Sequence, residues 1–478
     1  MVSSSEYHAA LHDSIYQAQQ HLLGLQDPDG FWVGELVVDA TLCADYITFM
    51  HWAQEVDPDL QAKCVGHILE SQLPCGGWNI YAGGPAELNA TVKSYFALKL
   101  AGFSAADPRL ERARAVVLTR GGLERANTYA RLYFALLGQF SWEAVPTIPC
   151  EFLLAPSWLP VHMHAVSSWT RAMIVPLAII NHFRPTRQLP PEMGIAELYV
   201  DPTAPPKFEA KGLHGFFLVI DRFLKTCERR GWKPFRQLGL RRAEAWMLER
   251  IGDGCSGLAA IFPAMLNSLI ALRALGYPAD HPVYRKAEAD LRELFVEDER
   301  GFRIQPCFSP VWDTAITALA LARSGMSAAD ESLDRATRWL AEREVRIPGD
   351  WTARNPGPEP SGWCFEFNNP YYPDTDDTAM VLIALKTCGY NDEDTGLYDR
   401  ALRWLLSFQC RDGGWAAFDK DITNPLLENV PFADHNAILD PSCCDLTART
   451  LEVLAEFNYA PADPVVRRAV RFLRRHQE

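Results

Sequence analysis

RALRWLLSFQCRDGGW, residues 400–415, decides how the rest of the chain is read. Ala401, Trp404, Leu405 and Phe408 recur at the spacing of one face of a helix. Gln409 follows, and after three more residues comes Gly413-Gly414-Trp415, a glycine able to end the helix and an indole able to fold back onto it. Both halves of this string recur. Q-x-x-x-G-x-W returns as Gln26…Gly30-Phe31-Trp32 and Gln72…Gly76-Gly77-Trp78. R-A-x-x-[WF]-L returns as Arg335-Ala336…Trp339-Leu340 and Arg468-Ala469…Phe472-Leu473. The starts at 335, 400 and 468 lie 65 and 68 residues apart, room for a pair of helices and their connections. In the copy that begins at Arg335, Glu344 takes the glutamine position and Gly349-Asp350-Trp351 is the expected closing turn. No run of alternating strands interrupts the pattern, which predicts an almost all-α chain of helical hairpins.

The composition suits such a chain. Its 478 residues are 48% hydrophobic and 22% charged, enough for roughly three domains' worth of core. A net charge of -14 argues against nucleic acid as a partner and against a large anionic substrate. The 12 cysteines are scattered from Cys43 to Cys444 with no C-x-x-C pair, which predicts reduced thiols rather than disulfides or zinc. The first residues, MVSSSEYHAALHDS, lack the basic and apolar regions of a signal peptide, so a cytoplasmic chain is expected. Apolar runs such as 172–180 and 379–385 are far shorter than the ~18 residues of a membrane span. Residues 185–206 and 348–373 carry six prolines each. The first of these leads into GLHGFFLVIDRFLK (212–225), whose Phe216–Ile220 block reads either as a buried helix or as a surface facing lipid.

The chemically distinctive motif is Asp374-Thr375-Asp376-Asp377, placed by Pro373 and the apolar run after it at a helix N-terminus. Capping alone accounts for one such acid. The segment lacks the glycine and glutamate of a calcium loop, and neither a D-D-x-x-D metal motif nor a Walker A loop is present, which predicts no metal and no cofactor. Clustered carboxyls cannot all ionise cheaply, so their pKa values spread and one is held protonated, an arrangement that supplies a general acid. Aromatic residues stand just before it in sequence, Trp363, Phe365, Phe367, Tyr371 and Tyr372, with Trp312 and Trp169 further off. Ring faces stabilise a cation by ~0.5–2 kcal/mol each.

Together, the Gln…Gly-x-Trp repeats and D-T-D-D resemble the squalene–hopene cyclases of the terpene cyclase/mutase family. SSWTR, SPVWDT, residues 347–351 and PFADH (431–435) extend the resemblance over nearly the whole chain. It implies a double α/α-barrel (an alpha-alpha toroid): one barrel over 20–305, with a membrane-facing segment near 212–225, inserted into a second made of 1–19 and 306–478. It implies that Asp376 is the acid that protonates squalene, that Asp374 and Asp377 tune it, and that Trp169, Trp312, Phe365 and Phe418 line the cavity. It further implies peripheral, monotopic attachment to the cytoplasmic side of the inner membrane, and it allows a homodimer. Family members carry a histidine hydrogen-bonded to the acid in D-V-T-A-H; this chain has Asp445-Leu446-Thr447-Ala448-Arg449, and an arginine can hold a carboxylate but cannot relay a proton. The repeat that opens at Arg468 stops at Glu478 before its Gly-x-Trp, so the second barrel is expected to be truncated and the chain to make no hopene by itself. Two other readings stay open: an inactive fragment or pseudoenzyme, and a class II diterpene cyclase.

Overall fold

In the computed structural model, residues 4–201, 221–227, 229–231, 234–430 and 438–477 are described. The Phe216–Ile220 block and PFADH lie outside them. Helices dominate, as the periodicity predicts. The exception is a hairpin, Phe295–Asp298 paired antiparallel with Gly301–Ile304, whose arms of 4 residues each are too short to show as an alternating run.

Helices alternate between a buried inner kind and an amphipathic outer kind. Inner helix Thr375–Thr387 buries nearly every side chain from Thr375 to Leu385. It packs between two other inner helices, Pro310–Arg323 and Cys444–Glu456. Their outer partners, Glu331–Glu342, Leu397–Ser407 and Pro464–Arg475, bury one face each. The earlier part of the chain repeats the scheme. Thr41–Ala53 touches Leu88–Leu100 and Phe262–Leu275, and Phe262–Leu275 touches Ser168–Phe183. Several outer helices start alike, with an Asp or His cap before a proline: Asp57-Pro58, Asp107-Pro108, His281-Pro282 and Asp463-Pro464. The cap satisfies a free N–H, and proline at the first position loses nothing by lacking one. The architecture is an all-α toroid of helical hairpins.

The turn motif acts as a clip between hairpins. Gln409 Nε2 donates to Gly413 O at 2.9 Å within its own turn, and to Val465 O at 3.0 Å at the start of the next outer helix. Gln72 bonds Gly76 O and Arg109 O in the same way, and Gln26 bonds Gly30 O and Ser332 O. Each tryptophan indole donates to a carbonyl ten residues back: Trp415 to Leu405, Trp78 to Ile68, Trp32 to Leu22. Its backbone N–H donates to a threonine hydroxyl on an inner helix, Thr447, Thr91 or Thr314. Two such side-chain bonds per glutamine contribute about 1 kcal/mol each. Glycine is required where the turn meets the next helix: at Gly76 (φ +94°) an added Cβ would lie 2.3 Å from Arg112 Cβ.

The fourth copy departs from expectation. Its closing tryptophan is Trp363, not Trp351: Trp363 Nε1 donates to Leu340 O at 2.6 Å and its N–H to Thr378 Oγ1 at 3.0 Å. Residues 345–361 are an insertion within the turn, and Trp351 packs edge-on against Trp404 instead. Glu344 cannot donate as glutamine does. It accepts from Ser361 Oγ (2.6 Å) and from Arg400 Nη2 (2.6 Å), so an ion pair replaces the amide clip.

Two large cores result. One collects residues from Ala40 to Ile304 together with Tyr372, the other residues from Val311 to Ala469. Leu22 and Leu23 of the first helix pack with Trp32, Ala318 and Leu321, on the side of the second core.

Candidate active site

The D-T-D-D segment folds as the start of inner helix Thr375–Thr387. Asp374 is the cap: its Oδ1 accepts from Asp376 N (2.9 Å) and Asp377 N (2.7 Å), while its own N–H donates to Trp363 O (2.9 Å). The clip tryptophan therefore anchors the acidic turn. Asp374 and Asp377 are buried; Asp376 is half-buried. Asp374 Oδ2 and Asp377 Oδ1 accept no hydrogen bond from any conventional donor among the described residues, and the two carboxyls face each other. A proton held between them satisfies both oxygens. Burial pushes Asp374 up to about 6 and, with the charge of Asp374 added, pushes Asp377 well above the carboxylate range. Burial thus raises both members of the pair, Asp377 the more.

Asp376 faces a different partner. Burial raises its pKa, and the hydrogen bond and charge of Arg449 oppose that rise without cancelling it. Arg449 Nη1 donates to Asp376 Oδ1, and the same guanidinium lies 4.9 Å from the centre of the Trp312 ring. Asp376, Arg449 and Trp312 come from three neighbouring inner helices, so side-by-side packing brings together residues 137 positions apart in sequence, from 312 to 449. Glu366, buried on the loop before the acid, accepts from Asn369 Nδ2 at 2.9 Å and is pushed up to about 8 by burial.

The remaining cavity candidates are placed less directly. Phe365 is half-buried on the loop that leads to Asp374. Phe418 is half-buried, packs against the first core and lies one residue beyond Ala417, whose carbonyl accepts from Thr375 N (2.8 Å). Trp169 starts helix Ser168–Phe183, is 41% exposed and lines a cavity of about 210 Å³. That cavity also holds Asp45 paired with Lys93 (2.7 Å) and Tyr133, whose hydroxyl donates to Asn267 Oδ1 (2.9 Å). These groups can order water beside an otherwise apolar wall.

Sequence reasoning missed this cavity, Glu366, and a buried charge cluster joining the two cores. In the cluster, Arg171 pairs with Asp350 (3.0 Å) and Asp419 (3.0 Å), and Arg250 pairs with Asp350. Burial alone would raise Asp350, but the charges of Arg171 and Arg250 hold it below its usual value. The members are single charged residues at unrelated positions, without a motif. The available signal was an arginine inside the apolar run after Trp169, a residue that needs partners once buried.

Comparison with known proteins gives the family. The N-terminal domain of squalene–hopene cyclase matches residues 15–300 and its C-terminal domain residues 308–478. A squalene–hopene cyclase of Zymomonas mobilis is 38% identical, covering 100% of this chain and 75% of the relative. That of Alicyclobacillus acidocaldarius is 36% identical over 97% of this chain and 74% of the relative. A dammaradiene synthase of Dryopteris crassirhizoma is 33% identical over 98% of this chain and 70% of the relative. Family models that span almost the whole chain, with relatives at this identity, place it plainly: the protein belongs to the squalene–hopene cyclase family.

Proposed function

We propose that this triterpene cyclase converts squalene to hopene, or to hopanol where water captures the last cation, with Asp376 as the proton donor. The carboxyl cluster carries the reading: a half-exposed acid backed by a buried carboxyl pair whose pKa values burial raises. The Asp376 O–H bond breaks as a C–H bond forms at the terminal alkene carbon. The tertiary cation so made takes the π electrons of the next double bond, and each ring closure moves the positive charge onward. Loss of a proton from the last cation gives hopene; addition of water followed by loss of a proton gives hopanol. Arg449 stabilises the carboxylate left on Asp376. Too basic to release a proton, it leaves reprotonation to water or to the Asp374–Asp377 pair. Trp312, Phe365, Phe418 and Trp169 are assigned to the cavity wall, where ring faces stabilise the moving charge.

The division into two barrels, 20–305 and 1–19 with 306–478, is supported by the two separate cores. Squalene is apolar, and no described helix is long and apolar enough to cross a membrane, so we assign a peripheral attachment through Phe216–Ile220 at the cytoplasmic face of the inner membrane. Incubation of the purified chain with squalene in detergent, read by gas chromatography with mass detection, tests the function. Hopene or hopanol from the chain and none from Asp376→Asn supports it; equal product from both refutes the assignment of the acid.

A further inference from the structure

Asp440 is a buried carboxylate whose hydrogen bonds, among the described residues, all come from backbone. Its Oδ1 accepts from Ala417 N (3.1 Å), and its Oδ2 accepts from Phe418 N (2.8 Å) and Asp419 N (2.7 Å). No described residue forms an ion pair with it, and its neighbour Asp419 repels it. As a device for stability alone this is a poor arrangement. What it does fix is the course of three successive peptide groups.

Those peptides are held on two further sides. Toward the acid, Thr375 N donates to Ala417 O (2.8 Å) and Thr375 Oγ1 donates to Ala416 O (2.6 Å). Toward the other core, the Asp419 carboxylate accepts from Ser168 N and Ser168 Oγ (2.7 Å each) and from Arg171 Nη2 (3.0 Å). Residues 416–419 thus form a strut. One end is bonded to the first residue of the acid-bearing helix, the other to the start of the helix that carries Trp169, and Phe418 sits between.

We propose that Asp440 is a positioning residue for the cyclisation: by gripping the 417–419 backbone it sets the place of Phe418 and the spacing between the acidic turn and the Trp169 wall. The proposal rests on the assignment of Asp376 as the acid and of Phe418 to the cavity. Asp440→Asn keeps the size of the side chain, but it turns one acceptor into a donor that opposes a backbone N–H. Thr375→Val keeps volume and loosens the strut at its other end by removing the hydroxyl bond to Ala416 O, leaving only the Thr375 N–H bond to Ala417 O.

The test is hydrogen–deuterium exchange by mass spectrometry on the full chain, together with the squalene product assay. Asp440→Asn is expected to speed exchange several-fold in peptides covering 416–419 and also in those covering 375–378. Thr375→Val is expected to do the same in reverse, and Thr375→Ser to restore protection. In turnover, Asp440→Asn should lower kcat and raise the share of incompletely cyclised triterpenes with little change in KM, which a purely structural role would not do. Exchange that rises at 416–419 while 375–378 stays as in the unaltered chain overturns the proposal, as does an unchanged product mix. If Asp440→Asn fails to fold, protection at 416–419 in Thr375→Val decides the point: lost, it supports the strut; retained, it overturns it. Absence of any triterpene from the unaltered chain counts against the cyclase reading, and the exchange results still decide the strut.

Discussion

Replacing Glu366 with glutamine should make the protein more stable as pH rises, although the side chain is buried and hydrogen-bonded. The carboxyl has an ordinary value of 4.5 and is pushed up to about 8 in the fold, chiefly by burial. Between those values the folded chain holds a proton that the unfolded chain has released, so stability falls with rising pH by at most about 1.4 kcal/mol per pH unit. From pH 5 to pH 8 this one group removes about 3 kcal/mol. The amide of the Glu366→Gln variant would keep the oxygen that accepts from Asn369 Nδ2 and, being uncharged, would carry no such slope. Other raised carboxyls, Asp374 at about 6 and Asp440 at about 7, are common to both proteins and largely cancel in the comparison. Urea unfolding of the two proteins at pH 5, 6, 7 and 8 should show midpoints that start close together and separate in favour of Glu366→Gln. Parallel midpoints across the series would mean that Glu366 is already ionised in the fold and would refute the reasoning.

Asp376→Asn should reduce squalene conversion below a few per cent with unchanged far-ultraviolet circular dichroism; greater residual turnover would move the acid elsewhere. Arg449→Gln removes the charge and hydrogen bond that hold the pKa of Asp376 down, so the alkaline limb of the pH–rate profile should move to higher pH while the maximal rate falls about tenfold or more; an unmoved limb would separate Arg449 from the acid. Gln409→Ala breaks both bonds of its clip and should cost about 1–3 kcal/mol, read as a lower thermal midpoint; an unchanged midpoint would show that the clip contributes nothing. Asp substitutions at Phe217 and Leu218 should shift the chain from vesicle pellet to supernatant, and equal partitioning would return this block to the core.

The repeat was legible because it has two requirements that few residues meet. A left-handed turn pressed against the next helix wants glycine, and the indole that closes it needs a carbonyl within reach, so Gly76-Gly77-Trp78 and Gly413-Gly414-Trp415 stand out in the string itself. Trp351 was the misleading case. It follows a glycine at about the right distance, and only the bonds from Trp363 to Leu340 and Thr378 identify the working copy. The acidic turn could be read for the same reason as the repeat: a cap, a proline before it and an apolar run after it. That Arg449 reaches Asp376 depends on which inner helices are neighbours, and here the resemblance to a family supplied what periodicity could not. The Arg171 cluster and the Asp440 strut had no such help. Each is made of isolated residues whose meaning arises only when two cores meet.

The copy whose clip was rewritten is also the copy that leads into the acid. Glu344 and Arg400 stand in for the usual amide, and the inserted 345–361 carries Asp350 across to Arg171 and Arg250. The hairpins look like interchangeable parts, but this one has become private property of the reaction. A library of chimaeras that exchanges whole hairpins among related toroids should accept replacements for the Gln72 and Gln409 units far more readily than for the Glu344 unit. A transplanted glutamine there would take from Arg400 its carboxylate partner, and a short turn would remove the Asp350 carboxylate that two buried arginines share.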